Sequence, residues 1–276
     1  MIAILLATYN GEKYISEQLE SILAQTFQDY TIYIHDDGST DNTIGIIGGY
    51  VEQYPKKIKL LEDSQRHRGP RYSFMWLLQQ VDCDYYMFCD QDDVWLKDKI
   101  QLSLDKLRKL EENNPQKAAL VHTEMKIVDE NLNMISESLY ATMRIKPSIV
   151  DTFRFMGVCS CGPGCTMIFN NKAKSLSLDY DNLDGIPMHD WWVAINTVKN
   201  GVVGFLKTPT MLYRQHSQNT VGSSIVNAGY MYKKAAHLKK TFQPYSQEIT
   251  WLKKVGYGGI PKFLFFKVLF SILRMF

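Results

Sequence analysis

Three aspartates stand within four positions in the stretch YYMFCDQDDVW, residues 85–95, directly behind an apolar run. Carboxylates at this density repel one another, so we expect a cation or a helix N-terminus beside them. Capping a helix needs only Asp92 or Asp93, whereas Asp90 and Asp92, separated by one residue in a turn, can face the same point. Mg²⁺ and Mn²⁺ commonly combine one or two protein carboxylates with substrate phosphates. The pattern therefore predicts a divalent metal at Asp90 and Asp92 beside a phosphate compound, with helix capping as the alternative.

Alternating strands and helices in the first 130 residues would position these carboxylates. The apolar runs IAILLA, TIYIH, IKLLED and YYMFC predict four strands, and apolar residues at helical spacing follow each of them. This order predicts an α/β fold with a mostly parallel sheet and helices on both faces. In such sheets, ligands bind beyond the carboxyl ends of the strands. Three polar clusters fall there: Thr8-Tyr9-Asn10, Asp36-Asp37-Gly38-Ser39 and Asp90-Gln91-Asp92-Asp93.

The second half of the chain is less regular and ends in a basic segment. A predicted helix, HDWWVAINTVKN, lies between the strand-like runs CTMIFN and VVGFLKTPTMLYRQH. From Met231 to Phe276 there are nine Lys or Arg and one acid, whereas the first 230 residues carry 22 bases and 28 acids. We therefore predict one domain over residues 1–225 and a basic helical appendage over residues 226–276 that meets an anionic surface.

The composition favours a folded cytoplasmic enzyme. The 276 residues are 45% hydrophobic, which is enough to bury a sizeable core. The first apolar run has six residues and no basic region before it, so we expect no signal peptide, and no run reaches the roughly 18 apolar residues that cross a bilayer. The five cysteines include no CxxC pair, which indicates reduced thiols. A zinc site at Cys159, Cys161 and Cys165 is an alternative that would lack a fourth ligand.

The sequence resembles the family 2 glycosyltransferases. The motifs that carry the resemblance, in the family's order, are LLATYNGEKYISEQLESILAQT, IYIHDDGSTDNT, FCDQDDVW, GCTMIFN, MHDWWVA and LYRQHSQNTVG. The forms QDDVW, HDWW and YRQH are most similar to the rhamnosyltransferase branch of bacterial cell-surface polysaccharide synthesis. The resemblance implies a GT-A fold with a Rossmann-like sheet, and a metal-dependent enzyme that uses a nucleoside-diphosphate sugar. Neither GxGxxG after the first strand nor GxxxxGK[ST] occurs, which disfavours dinucleotide-binding and P-loop proteins.

The resemblance assigns several residues to the sugar donor. Those implied for the nucleobase and ribose pocket are Thr8, Tyr9, Asp36, Asp37 and Asp90. A turn-forming role is the alternative for Asp36 or Asp37. Asp92 would hold Mg²⁺ or Mn²⁺ on the diphosphate, with Asp90 and His216 as further ligands. Arg214 would contact the diphosphate, although an ordinary exposed arginine and a satisfied histidine remain the alternatives for Arg214 and His216. The implied donor is dTDP-rhamnose, with a UDP-sugar as the alternative.

A further carboxylate, Asp190 in PMHDWW, has a different implied role. The resemblance makes it the general base of an inverting displacement, which takes the proton of the acceptor hydroxyl as that oxygen attacks the anomeric carbon. Helix N-capping is the alternative for Asp190. Trp191 and Trp192 would stack on a sugar, unless one indole is buried in the core. The implied acceptor is a growing glycan linked to a lipid.

The last segment, PKFLFFKVLFSILRMF, is too short to span a bilayer. As a helix it places Lys267, Ser271 and Arg274 on one stripe, at i, i+4 and i+7, with apolar residues elsewhere. We expect an interfacial helix whose cations face anionic lipid at the inner face of the cell membrane. A helix buried against the domain is the alternative.

Two other functions fit parts of the sequence. A phosphatase of the haloacid dehalogenase type would use Asp90 as its nucleophile, because residues 90–94 fit a DxDxV pattern. That motif normally follows the first strand of its domain, whereas three strand–helix units precede it here. A non-catalytic scaffold that binds nucleotide sugars is the second alternative, and the presence of both Asp92 and Asp190 argues against it.

Overall fold

The structure is a computed structural model, which describes residues 1–216 and 250–274. Within these residues, nine strands form one sheet. The strands are β1 (Ile2–Thr8), β2 (Tyr30–Asp36), β3 (Ile58–Leu60), β4 (Tyr85–Cys89), β5 (Val94–Trp95), β6 (Ala118–Val128), β7 (Met134–Ser136), β8 (Met167–Asn170) and β9 (Gly201–Arg214). The strand order is β3-β2-β1-β4-β8-β6-β9-β5, and β7 pairs with β6.

The sheet is mixed, with a parallel half that matches the prediction. β3, β2, β1 and β4 are parallel neighbours, as the alternating strands and helices indicate. β8 runs antiparallel to both β4 and β6, whereas β9 is parallel to β6. An antiparallel neighbour needs no crossover helix, so β8 can join the sheet in the less regular half of the chain.

Helices cover both faces of the sheet, as predicted. They are α1 (Ile15–Leu23), α2 (Thr43–Gln53), α3 (Pro70–Gln80), α4 (Lys99–Glu112), α5 (Leu139–Met143), α6 (Pro147–Val150), α7 (Phe153–Met156), α8 (Asn171–Ser177), α9 (His189–Asn200) and α10 (Ile260–Leu273). In β1, Ala3 and Leu5 join a core shared with α3 and α9, whereas Ile2, Ile4 and Leu6 join a core shared with α1 and α4. Because successive strand residues point to opposite faces, a strand covered on both faces is a continuous apolar run.

A strand, and not a helix, follows the cluster of aspartates. β5 begins at Val94 and pairs antiparallel with β9, and α4 begins only at Lys99, with Asp98 at its N-cap position. Neither Asp92 nor Asp93 therefore caps a helix, and this alternative is wrong. The pairing with β9 holds the chain extended at the point where a capped helix would have to begin.

The polar stripe of α10 faces the rest of the chain. Lys267 Nζ donates to the Val158 carbonyl at 2.9 Å, and the Arg274 guanidinium donates to the Met143 carbonyl, with Nε at 2.9 Å. Met143 is the last residue of α5, and the last carbonyls of a helix lack partners within it and attract cations. The prediction that Lys267 and Arg274 face lipid is therefore wrong. Residues 226–249 and the predicted boundary at residue 225 lie outside the described residues.

Within the described residues, no helix combines the length and the apolar character needed to cross a bilayer.

Candidate active site

A cavity of about 710 Å³ opens at the carboxyl ends of β1 and β4. It brings together residues from segments that lie far apart in the sequence, as the positions of the polar clusters predicted. The predicted site residues that line it are Thr8, Tyr9, Asp37, Asp90, Asp92, Asp190, Trp191 and His216. Three others, Asp36, Trp192 and Arg214, lie outside its lining.

Asp36 shapes the turn after β2. One carboxylate oxygen accepts from the backbone N–H groups of Gly38 and Ser39, at 3.0 and 2.7 Å, and the other accepts from the Thr8 hydroxyl at 2.8 Å. Both oxygens of this buried carboxylate are thus used within the loops, and Asp36, unlike Asp37, does not line the cavity. The turn-forming alternative applies to Asp36, and the predicted contact with the nucleotide is corrected.

Asp37 and Gln91 hold the loops on the side of the cavity assigned to the nucleotide. The Asp37 carboxylate accepts from the backbone N–H groups of Arg68 and Gly69, at 2.9 and 2.7 Å. The Gln91 side chain exchanges two hydrogen bonds with the backbone of Tyr9, at 2.9 and 3.0 Å. Tyr9 is 47% exposed and can offer its aromatic face to a base. Sequence reasoning gave Gln91 no role, since a glutamine between acids carries no signal.

Asp92 and His216 meet in the cavity although they are 124 positions apart in the sequence. Asp92 Oδ2 and His216 Nε2 are 2.8 Å apart. The ring of Tyr14 packs on the imidazole with 4.8 Å between centroids, a contact that no sequence motif indicated. Asp90 adds a second carboxylate to the same cavity. A carboxylate oxygen and an imidazole nitrogen suit a divalent ion such as Mn²⁺, so the pair of Asp92 and His216 fits the implied metal.

Arg214 is buried behind this pair, and its guanidinium points into the protein. Its Nε donates to the Asp92 carbonyl and its Nη1 to the Glu130 carbonyl, each at 2.8 Å. Its Nη2 pairs with the Glu17 carboxylate. The predicted diphosphate contact of Arg214 is therefore corrected, because these contacts turn the side chain away from the cavity. Arg214 instead fixes the backbone at Asp92.

Asp93 and Cys165 form a buried layer beside Asp90. The possible ligand atoms of these three residues lie within 4.8 Å of one another. Burial, and then the charges of Asp92 and Asp90, raise the pKa of Asp93 well above its usual range, and burial likewise raises the pKa of the Cys165 thiol. Burial, followed by the charge of Asp92, raises the pKa of Asp90 to about 7. Asp93 also accepts a hydrogen bond from the Arg214 backbone N–H at 3.1 Å, so one of its oxygens has a partner within the protein.

Asp190 lies in the first turn of α9 and contacts the cavity. Its Oδ2 accepts from the Gly164 N–H at 3.0 Å and its Oδ1 from the Trp191 N–H at 2.6 Å. Burial raises the pKa of Asp190 to about 6, and these two N–H donors oppose the shift. Such a carboxylate is ionised at neutral pH and has a pKa suited to a general base. Met188, and not Asp190, occupies the N-cap position of α9.

Gly164 and His189 form the wall next to this carboxylate. A Cβ added to Gly164 would lie 2.9 Å from His189 Nε2 and 3.2 Å from Asp190 Cβ, so the close approach of the backbone at this point requires glycine. His189 stacks on Phe74 with 4.1 Å between centroids. Burial lowers the pKa of His189 to about 3, which keeps the imidazole neutral and makes it a weaker base than Asp190.

The two tryptophans of HDWW have different environments. Trp192 is buried and donates from Nε1 to the Ser177 carbonyl at 2.8 Å, so its predicted stacking on a sugar is wrong. Trp191 lines the cavity, and its Nε1 donates to the Met156 carbonyl at 2.6 Å. Adjacent residues of a helix point about 100° apart, which is why one indole enters the core and the other reaches the cavity.

The part of the cavity next to β6 and α5 is mostly apolar. The side chains that line it include Met125, Leu139, Tyr140, Met143, Ile145 and Cys159. Sequence reasoning named Cys159 only as a possible zinc ligand and gave the other five no role, because no motif marks them. Within the described residues, the cluster of possible metal ligands that contains a cysteine consists of Asp90, Asp93 and Cys165. Cys159, Cys161 and Cys165 form no such cluster, so the alternative zinc site is wrong.

Comparison with known protein sequences identifies the family of this chain. The family model described as "Glycosyl transferase family 2" matches residues 3–173. The dTDP-rhamnosyl transferase RfbG of Shigella flexneri is 33% identical over 229 residues, which cover 80% of this chain and 74% of that protein. The match to the family model includes Asp90, Asp92 and Asp93, the cluster on which the phosphatase alternative depended. Membership of a glycosyltransferase family therefore overturns the phosphatase and the non-catalytic scaffold.

Solved structures of low sequence identity share the fold. S. aureus TarS 1–349 in complex with UDP-GlcNAc aligns with a TM-score of 0.61 and 17% identity over 99% of this chain and 87% of that chain. The mannosyltransferase PcManGT from Pyrobaculum calidifontis, in complex with GDP-Man and Mn²⁺, aligns with a TM-score of 0.59 and 14% identity over 99% of this chain and 70% of that chain. The match of the family model to well over half of the chain, joined to this architecture, shows that the chain belongs to glycosyl transferase family 2 and has the GT-A fold.

Proposed function

We propose that this glycosyltransferase moves L-rhamnose from dTDP-rhamnose to a hydroxyl group of a growing, lipid-linked surface glycan, with inversion at the anomeric carbon. The observation that carries the proposal is that one cavity contains both a suitable base, Asp190, and a metal-binding pair, Asp92 and His216. Inverting transfer requires a group that takes the acceptor proton and a charge that stabilises the departing diphosphate.

Asp190 acts on the acceptor. Its carboxylate takes the proton of the acceptor hydroxyl as that oxygen forms a bond to the anomeric carbon, and the bond from this carbon to the diphosphate oxygen breaks with its electron pair. The nucleoside diphosphate leaves on the opposite face of the sugar. The N–H groups of Gly164 and Trp191 hold the carboxylate in one orientation and favour its ionised form.

Asp92, His216 and Asp90 would hold the divalent ion. When bound, this ion supplies positive charge that stabilises the leaving diphosphate. Arg214 supports the site through the Asp92 carbonyl, and Tyr14 supports it through the His216 ring. On the same side of the cavity, Tyr9, Thr8 and Asp37 contact the nucleoside.

The donor and the acceptor are inferred from separate observations. The 33% identical relative is a dTDP-rhamnosyl transferase, which favours dTDP-rhamnose. The apolar lining at Leu139, Met143 and Ile145 suits an acceptor that carries an apolar group. Lys253 and Lys262 are exposed on residues 250–274, which contain no acid, and this favours peripheral contact with the inner face of the cell membrane.

A donor screen tests this proposal. The full chain is incubated with Mn²⁺ and with dTDP-rhamnose, UDP-glucose or UDP-GlcNAc, and release of the nucleoside diphosphate is measured with and without a water-soluble glycan acceptor. We expect the fastest release from dTDP-rhamnose, together with acceptor stimulation. Preferred turnover of a UDP-sugar would overturn the donor assignment. Retention of the anomeric configuration in the product, read by NMR, would overturn the role of Asp190.

A further inference from the structure

The outward face of α10 carries a row of apolar side chains. Phe265, Val268 and Ile272 are 63%, 60% and 42% exposed. Their spacing of three and four residues places them on one side of the helix. Ile260 in the first turn is also about half exposed. Single apolar residues are common on protein surfaces, whereas an apolar row along one helix face indicates a contact surface.

The opposite face of α10 is fixed to the enzyme. Phe263 and Phe270 are buried in the core that α3 and α9 share, and Lys267 and Arg274 donate to backbone carbonyls of the domain. Rotation of the helix to hide the apolar row would expose both phenylalanines and break these hydrogen bonds. The exposed row is therefore a stable feature of the folded enzyme.

The charges around the row indicate its partner. Residues 250–274 contain no acid, and Lys253 and Lys262 are exposed, whereas Lys254 pairs with Asp181 at 3.2 Å. An apolar row on a segment that has exposed lysines and no acid matches an anionic bilayer, in which apolar side chains enter the acyl boundary and ammonium groups meet lipid phosphates. We propose that Phe265, Val268 and Ile272, aided by Lys253 and Lys262, form the surface through which the enzyme docks on an anionic membrane.

Docking through this face would bring the apolar part of the active-site cavity to the membrane. Arg274 donates to the carbonyl of Met143, a residue that lines the apolar part of the cavity. Lys267 donates to the carbonyl of Val158, which precedes another lining residue, Cys159. The helix that contacts lipid thus braces the cavity wall at two points. The delivery of an acceptor by this route rests on the proposed lipid-linked substrate, whereas the docking does not.

Vesicle sedimentation with the full chain tests the docking surface. The test variant combines Phe265→Ser, Val268→Ser and Ile272→Ser. The control combines Met134→Ser and Ile135→Ser on β7, which are each 47% exposed. On vesicles that contain phosphatidylglycerol, we expect the test variant to bind at least about tenfold more weakly than wild type, or about 1.4 kcal/mol. The control should bind like wild type.

A second variant tests the charges independently of the apolar row. Lys253→Gln combined with Lys262→Gln should weaken binding to the phosphatidylglycerol vesicles by about fivefold per lysine, and added salt should remove the difference. Pure phosphatidylcholine vesicles should bind the wild type less well.

Three outcomes would overturn docking: no vesicle binding by the wild type, equal binding by the wild type and the serine variant, or a wild-type dimer that the serine variant converts to monomer. In the last case a second copy covers the row. Sugar transfer to a water-soluble acceptor separates the two proposals, because the serine variant should keep wild-type turnover there. If neither the wild type nor the variants transfer sugar, the proposed function is overturned, and the conclusion from the vesicle experiment still holds.

Discussion

Replacement of Asp190 by asparagine removes a proton acceptor and hardly changes the shape of the side chain. The wild-type carboxylate accepts from the N–H groups of Gly164 and Trp191, and the amide can keep only one of these bonds. A hydrogen bond contributes about 0.5–1.5 kcal/mol to stability. Burial raises the pKa of Asp190 to about 6, so the ionised carboxylate is disfavoured at this position. The neutral asparagine avoids this cost, which offsets part of the stability lost with the hydrogen bond. We expect the melting temperature to change by less than about 4 °C.

The expected effect of Asp190→Asn on turnover is much larger. General-base catalysis contributes roughly 10²–10⁴-fold to a rate. This factor corresponds to about 2.7–5.5 kcal/mol of activation free energy, well above the expected change in stability. Donor affinity should be nearly unchanged, since Tyr9 and Asp37 lie in other segments of the cavity. The measurements are release of the nucleoside diphosphate at saturating substrates, and calorimetry of donor binding.

Asp184→Asn is the matched control. Asp184 lies six residues earlier, its side chain is 87% exposed, and it pairs with Arg71 at 3.3 Å, so this variant should turn over like wild type. Equal turnover of Asp190→Asn and the control would refute the assignment of the base. A loss of turnover that accompanies an equal loss of donor affinity, or a large fall in melting temperature, would give Asp190 a structural role instead.

Three further predictions concern the metal pair, the pH profile and the support of the site. Asp92→Asn should lower turnover about 10²-fold or more and raise the Mn²⁺ concentration for half activity, because the leaving diphosphate loses its counter-charge; full activity of this variant in EDTA would contradict the metal site. At saturating Mn²⁺, wild-type turnover should be retained above a pH of about 6 and lost as the pH falls through that value, because protonated Asp190 cannot accept a proton. A constant turnover well below that pH would argue against Asp190 as the base. Arg214→Lys keeps the charge but loses the planar donors that hold the Asp92 carbonyl, so Mn²⁺ should bind about 10–100-fold more weakly. Unchanged Mn²⁺ binding in a titration would show that this support is dispensable.

The parallel half of the sheet and the place of the site follow from local sequence. A strand covered on both faces must be apolar throughout, so IAILLA and YYMFC could be recognised as buried strands. The carboxyl ends of parallel strands meet at one edge of the sheet, so Tyr9, Asp37, Asp90 and Asp92 could be placed together. The antiparallel entry of β8 between β4 and β6 depends on long-range pairing, for which a four-residue strand carries no local signal.

The tertiary structure decided which residues contact the cavity and which ones support it from behind. Arg214 and His216 are two positions apart, yet the guanidinium is drawn inward by the carbonyls of Asp92 and Glu130 while the imidazole meets the Asp92 side chain. A motif such as YRQH specifies chemical groups, and the hydrogen-bond partners that fix their directions come from segments more than 80 positions away.

The C-terminal helix shows the same division. Its sequence alone determined a short helix with cations on one stripe and apolar residues elsewhere, because helical periodicity is a local property. The direction of that stripe depends on what it meets. The carbonyls of Met143 and Val158 offer Lys267 and Arg274 hydrogen bonds within the folded enzyme, which turns the cations inward and leaves Phe265 and its apolar neighbours on the surface. Only the packed structure brings these carbonyls beside the helix.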